Sequence, residues 1–106
     1  MQQPNSYHCY VLVRRDIPLP DQLVQVGHAC LVAGRLFDQP ENGNMVVLSV
    51  QSEEQLLRSV ATTEQAGIKW ALFYEPDDNL GHTAACTAPI ADSETKRLFR
   101  KFQMWK

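Results

Sequence analysis

The chain carries no basic excess. Its formal net charge is −2 over 106 residues, whereas domains that displace counterions from nucleic acid usually hold a surplus of Lys and Arg. Overall charge therefore gives no reason to expect polyanion binding. Long apolar runs are missing too: none approaches the roughly 20 residues that span a bilayer, and the N-terminal segment lacks the basic, apolar and small-residue succession of a secretory leader. Cysteine is sparse. Cys9, Cys30 and Cys86 are odd in number, with neither CxxC nor Cys/His ligand spacing, so they read as small apolar groups in a reduced, cytoplasmic setting. A GxxxxGK(S/T) loop, a GxGxxG turn and an HExxH helix are all absent, and no nucleophile sits at a recognisable elbow. The expectation is no metal, no cofactor and no membrane.

What remains is ordinary globular composition. Hydrophobic residues make up 44% and charged residues 21%, enough for one core in a chain of this length, and a single domain over 1–106 is expected. Internal repeats and low-complexity segments are lacking.

Residues Met1 to Ser6 form a polar lead-in. Tyr7 to Val13 (YHCYVLV) is aromatic, β-branched and almost continuously apolar, which suits a central strand covered on both faces. Arg14, Arg15 and Asp16 end it, and Pro18 and Pro20 call for extended or turning backbone before a helix. From Asp21, apolar groups at Leu23, Val26, Cys30 and Ala33 recur at helical spacing; Gly27 and Gly34 within that helix are expected to allow close packing against the sheet. Met45 to Val50 is a second strand. Ser52 followed by Glu53, Glu54 and Gln55 caps a second helix, which Gly67 closes. Ile68 to Tyr74 is the third strand, Glu75 to His82 an acidic loop, and Thr83 to Ala88 a fourth strand. Asp92 or Ser93 caps a last helix with a stripe of Leu98, Phe99, Phe102 and Trp105. The order is βαβαββα: an α/β three-layer sandwich with a four-stranded mixed sheet, the first three strands parallel and the fourth antiparallel after a short link.

Ligand crevices of open α/β sheets lie at the carboxyl ends of the parallel strands. Arg14, Arg15 and Asp16, then Glu75, Asp77 and Asp78, then Thr83 converge there under this topology, beside first-helix N–H groups that attract anions. Each has a plainer alternative. Arg14 and Asp16 suit a simple exposed ion pair, and the acids suit a solvated turn, although three in four residues repel one another. His28, one turn from Gln25, reads more simply as a buried histidine bonded to backbone than as a general base. Lys96, Arg97, Arg100, Lys101 and Lys106 gather without an intervening acid, either as a solvated helix end facing the helix dipole or as a phosphate-binding face.

The segments Tyr10-Val11-Leu12-Val13-Arg14-Arg15-Asp16 and Val24-Gln25-Val26-Gly27-His28-Ala29 resemble the type II peptidyl-tRNA hydrolase pattern of a hydrophobic strand, Arg-x-Asp, and a helix bearing Ala-Gln-x-x-His-Ala. The element order, Glu75 closing the third strand and Thr83 leading a small-residue strand extend the likeness over nearly the whole chain. Three departures stand out: the family's Gly- and Lys-rich loop is shorter and reads Ile17-Pro18-Leu19-Pro20-Asp21-Gln22 here, without lysine; the segment before the threonine strand is shortened; and the family's aspartate falls on Glu75. The resemblance implies cofactor-free hydrolysis of the ester joining a peptide to the terminal ribose of tRNA. Glu75 or Asp77 would orient or activate water, and Thr83 would bond near the reacting carbonyl. Arg14, Asp16, Gln25 and His28 would hold the acyl or phosphate portion, and Lys96, Arg97, Arg100 and Lys101 the tRNA backbone. A binding module of the same fold, for RNA or protein, is the alternative, and a homodimer is compatible with either.

Overall fold

The near-continuous apolar run of the first strand calls for cover on both sides, and the computed structural model, which describes residues 6–105, provides it. The polar lead-in, residues 1–5, and Lys106 lie outside the described residues. Strands β1 (His8–Arg14), β2 (Asn44–Val50), β3 (Trp70–Glu75), β4 (Gly81–Thr87) and β5 (Gln103–Met104) form one mixed sheet in the order β3-β4-β1-β2-β5. β1 runs parallel to β2, from His8 opposite Asn44 to Arg14 opposite Val50. β4 lies antiparallel between β3 and β1, so β1, β2 and β3 share one direction, as their connections require. Helix α1 (Leu19–Leu36) covers one face, packing Ala29 and Ala33 on Val11, Val13, Ala71 and Ala84. Helix α2 (Glu53–Gln65) covers the other with Leu56 and Val60 on Tyr10, Leu12, Leu48 and Ala85. Val11, Leu12 and Val13 are wholly buried, and each such side chain contributes about 1.5–3 kcal/mol by leaving water.

The sheet has five strands, not four, and the chain does not end in a long helix. Asp92 caps a short α3 (Ser93–Lys96) by accepting from the Thr95 N–H at 2.9 Å; a 3-10 turn (Arg97–Phe99) follows, and β5 then pairs antiparallel with Leu48 and Ser49 of β2. The reason is packing. Phe99 and Phe102 belong to the core under α2, whereas Trp105 packs with the α1 side of the sheet. One straight helix cannot serve both faces, so the chain passes around the β2 edge in extended form, and the element order becomes βαβαββαβ.

Two expectations about α1 also change. The helix begins at Leu19, before Asp21, with Pro20 in its first turn, where the missing N–H of proline has no intrahelical acceptor to lose. The buried stripe is Gln22, Gln25, Ala29 and Ala33, while Leu23 and Leu31 are exposed. Gly27 and Gly34 face outward, and a methyl group on either would meet nothing within 4 Å, so neither serves contact with the sheet. The second helix follows its punctuation: Ser52 accepts from the Gln55 N–H at 3.2 Å, and Gly67 ends it with φ +94°, a conformation glycine adopts without strain.

Candidate active site

β4 carries one residue too many for its pairing with β3. Phe73 faces Ala84 and Tyr74 faces His82, which leaves Thr83 between the two pairs as a bulge. Strand alternation from Ala85, which packs toward α2, assigns Thr83 to that same side; the bulge re-aims it. Its hydroxyl instead donates to Gln25 Oε1 on α1 at 2.6 Å. The other end of the same amide donates from Nε2 to Glu75 Oε1 at 3.0 Å. Since a carboxylate only accepts, the amide must turn its NH2 toward Glu75 and its oxygen toward Thr83. Three elements are thereby joined through one glutamine.

Burial differs sharply along this chain of bonds. Thr83 is fully buried and Gln25 is 4% exposed, whereas Glu75 is only half-buried. Its second oxygen accepts the Asp77 N–H at 3.3 Å. The Gln25 amide first, and then the Asp77 N–H, hold the Glu75 carboxyl below the usual glutamate range, with the charge of His28 as a smaller contribution. Glu75 is therefore a carboxylate at neutral pH, with Gln25 fixing one oxygen. His28, one turn beyond Gln25, lies half-buried with its ring stacked on Phe73, centroids 4.5 Å apart and planes 6° from parallel. That aromatic contact, rather than a backbone bond, orients it.

Arg14 stands at the end of β1 on the same rim. Its guanidinium makes a two-pronged bond with Asp16, Nε to Oδ1 and Nη2 to Oδ2, both at 2.9 Å, and its Nη1 donates to the carbonyls of Leu80 and His82. The bond to Asp16 raises the pKa of Arg14, and the same bond lowers that of Asp16. The guanidinium thus anchors the β3–β4 loop to the sheet. Glu53, in the first turn of α2, clamps the loop from the other side: its Oε2 accepts the His82 N–H at 2.8 Å and lies 3.3 Å from His82 Nδ1. Gly81, at φ +76°, leaves the space this carboxylate fills; an added methyl would stand 2.4 Å from Glu53 Oε2. The loop itself turns on Asp78 and Asn79, both at positive φ.

Arg14, Asp16, Gln25, His28, Glu75 and Thr83 therefore gather at one end of the sheet. Asp77 belongs to the loop, but its exposed carboxylate bonds to neither Gln25 nor Thr83. The basic residues stand apart. Lys96 donates to the Ser6 carbonyl at 2.6 Å, near the opposite end of β1, and Arg97, Arg100 and Lys101 follow on the α2 side of the sheet, exposed. Glu53, Gln22 and Trp105 escaped the sequence reading. Glu53 looks like any acid in a first turn, and only contact reveals that Trp105 Nε1 donates to Gln22 Oε1 at 2.8 Å. Arg15, Gln22, Ser49 and Trp105 line a cleft of about 330 Å3 one helical turn from Gln25.

The three cysteines meet on the α1 side, Cys9 and Cys86 buried and Cys30 half-buried. Hydrogen bonding with the neighbouring free Cys86 thiol brings the Cys30 thiol down to about 7, while Cys86 is pushed up, by the same interaction first and then by burial. Among the described residues no group of three His, Cys, Asp or Glu side chains is placed to hold a metal ion, and no helix is long and apolar enough to cross a membrane.

The family model of peptidyl-tRNA hydrolase PTH2 matches residues 7–105. The chain belongs to that family. The fold recurs in solved structures. One is a protein of unknown function from Agrobacterium tumefaciens strain C58, 13% identical over 95% of this chain and 98% of that one, with a TM-score of 0.64; the likeness concerns the fold alone. No curated protein matches the chain.

Proposed function

We propose that this PTH2-family chain hydrolyses the ester joining a peptide, or an N-blocked aminoacyl group, to the terminal ribose of tRNA, releasing peptide and free tRNA. The observation that carries the reading is the Thr83–Gln25–Glu75 chain of hydrogen bonds at the sheet end where such folds take ligands. Ester hydrolysis needs a water aimed at the carbonyl carbon, a place for its proton, and release of the ribose oxygen with a proton. Glu75 Oε2, the oxygen away from Gln25, is the group to orient that water. Its lowered pKa makes it a weak base but keeps it charged well into acid, so positioning is its main contribution. The proton that the water sheds as it attacks passes by way of Glu75 Oε2 to the leaving ribose oxygen. Thr83 is buried behind Gln25 and acts through it as a positioning residue; His28 and the N-terminal turn of α1 face the acyl and phosphate portions. The cleft beside Gln22 and Trp105 gives the substrate room on the same rim. Residues 1–106 act as one domain in this reading, in the cytoplasm where charged tRNA is found.

A second reading is favoured by the lysine-free segment Ile17–Gln22 and by the engagement of Arg14 with Asp16 and two carbonyls: a relative that binds tRNA without cleaving it. Incubation of the purified chain with N-acetyl-aminoacyl-tRNA separates the two. Release of N-acetyl-amino acid is the expected result, and salt-dependent binding with no release would overturn the hydrolase reading.

A further inference from the structure

The outer side of α2 and the segment after the 3-10 turn enclose a cleft of about 330 Å3 lined by Gln55, Arg58, Ser59, Thr62, Lys101 and Phe102. No acid is among them. The two ion pairs formed among the described residues are Arg14–Asp16 and His82–Glu53, so neither Arg58 nor Lys101 has a carboxylate partner there. Lys101 is held in place by the ring beside it, its Nζ 5.6 Å from the Phe102 centroid, a contact that favours a cation. The helix side is regular. Gln55, Arg58, Ser59 and Thr62 stand at i, i+3, i+4 and i+7, one face of α2, and run about 10 Å at the helical rise.

Two unneutralised cations facing each other across a groove with two hydroxyls and an amide form a donor set for phosphate oxygens: the cations supply charge, and the neutral donors supply direction. A line of donors about 10 Å long exceeds a single phosphate group and suits successive phosphates along one strand. The cleft lies on the α2 side of the sheet, whereas Gln25, Glu75 and Thr83 meet on the α1 side. The near end of the cleft, Gln55, is two residues from Glu53, whose carboxylate holds the His82 N–H beside Thr83. From there the exposed cations Arg100 and Arg97 continue along the same side of the sheet.

We infer that the Arg58–Lys101 cleft is a binding site for the phosphodiester backbone of RNA. The inference names the surface that would grip tRNA if the hydrolase reading holds, and its test is built on binding, so the two can fail separately. Arg58 is the new element, because nothing in its sequence surroundings marks it and only the fold brings Lys101 opposite it.

The test is the salt dependence of binding of uncharged tRNA to the full chain, read by fluorescence anisotropy for wild type, Arg58→Gln, Lys101→Gln and the double variant. Both side chains are exposed, and a thermal melt checks that each variant folds. Each substitution is expected to lower the slope of log K against log salt by about 1, and the double variant to bind about tenfold more weakly at low salt. Arg35→Gln, which removes the same charge from the last turn of α1, is expected to leave the slope unchanged. A double variant with the wild-type slope would overturn the inference. So would an equal effect from Arg35→Gln, or a wild type that does not bind tRNA. Binding without ester cleavage would remove the hydrolase reading and leave the cleft standing; cleavage with slopes insensitive to Arg58 and Lys101 would do the reverse.

Discussion

Replacing Gln25 by Leu probes the junction of the candidate site. The substitution keeps the volume of a side chain that is 4% exposed but removes the acceptor of the Thr83 hydroxyl and the donor to Glu75. Glu75 is half-exposed and regains water. Thr83 is fully buried, and a buried hydroxyl left without a partner costs about 1–3 kcal/mol. A loss of about 2 kcal/mol is expected, which lowers the melting temperature by roughly 8–16 °C in a chain of this size. Thr83→Val should cost a similar amount by stranding the Gln25 oxygen. The double variant, with both partners apolar, should cost clearly less than the sum, giving a coupling of about 1 kcal/mol or more. The pH dependence carries a second signature. The folded pKa of Glu75 is lowered, so its stabilising contribution is complete above the unfolded value and is lost as pH falls through the folded one. Without the Gln25 amide that lowering shrinks, and an NMR titration of the Glu75 carboxyl should move up toward the ordinary range. Urea melts in which Gln25→Leu stays within 0.5 kcal/mol of wild type, or in which the two losses simply add, would refute the network.

Other expectations rest on single features. Gly27→Ala and Gly34→Ala fill open space on the exposed side of α1 and should each raise stability by about 0.5–1 kcal/mol; a loss in thermal melts would mean that the outer face has a contact to protect. Gly81→Ala should act oppositely, losing more than about 1 kcal/mol, because φ is positive and the new methyl meets the Glu53 carboxylate. Alkylation by iodoacetamide near pH 8 should find Cys30 first, since its thiol titrates at about 7 through Cys86, and Cys86→Ala should slow that reaction by raising the Cys30 pKa; mass spectrometry showing Cys9 or Cys86 modified first would contradict the assignment.

Much of the framework was legible because local chemistry and tertiary context agree there. The apolar run before Arg14 could only be a central strand, and the Ser52 cap with Gly67 bounded α2 almost to the residue. α1 misled because its buried stripe holds two glutamines: Gln22, satisfied by the Ile17 carbonyl and by Trp105, and Gln25, satisfied by Glu75 and Thr83 far along the chain. Hydrophobic periodicity ranks such positions as exposed and assigns the stripe to Leu23, which faces out. The last helix failed for a related reason. Its apolar spacing is helical, but Phe99 and Trp105 serve opposite faces of the sheet, and no local pattern encodes a turn around an edge. At the candidate site, the sequence put Arg14, Gln25 and Glu75 at the carboxyl ends of the parallel strands, and the fold places all three at that end of the sheet. The bulge that aims Thr83 at α1 depends on pairing between two strands and leaves no trace in either alone.

The central claim is that Glu75, held by Gln25, directs water at an ester. Single-turnover hydrolysis of N-acetyl-aminoacyl-tRNA by wild type and Glu75→Gln tests it most directly, with folding of the variant checked by its melt and binding measured separately. The expected result is cleavage by wild type and a rate lower by about 100-fold or more in the variant, at little change in tRNA affinity. Cleavage by Glu75→Gln at the wild-type rate would contradict the account.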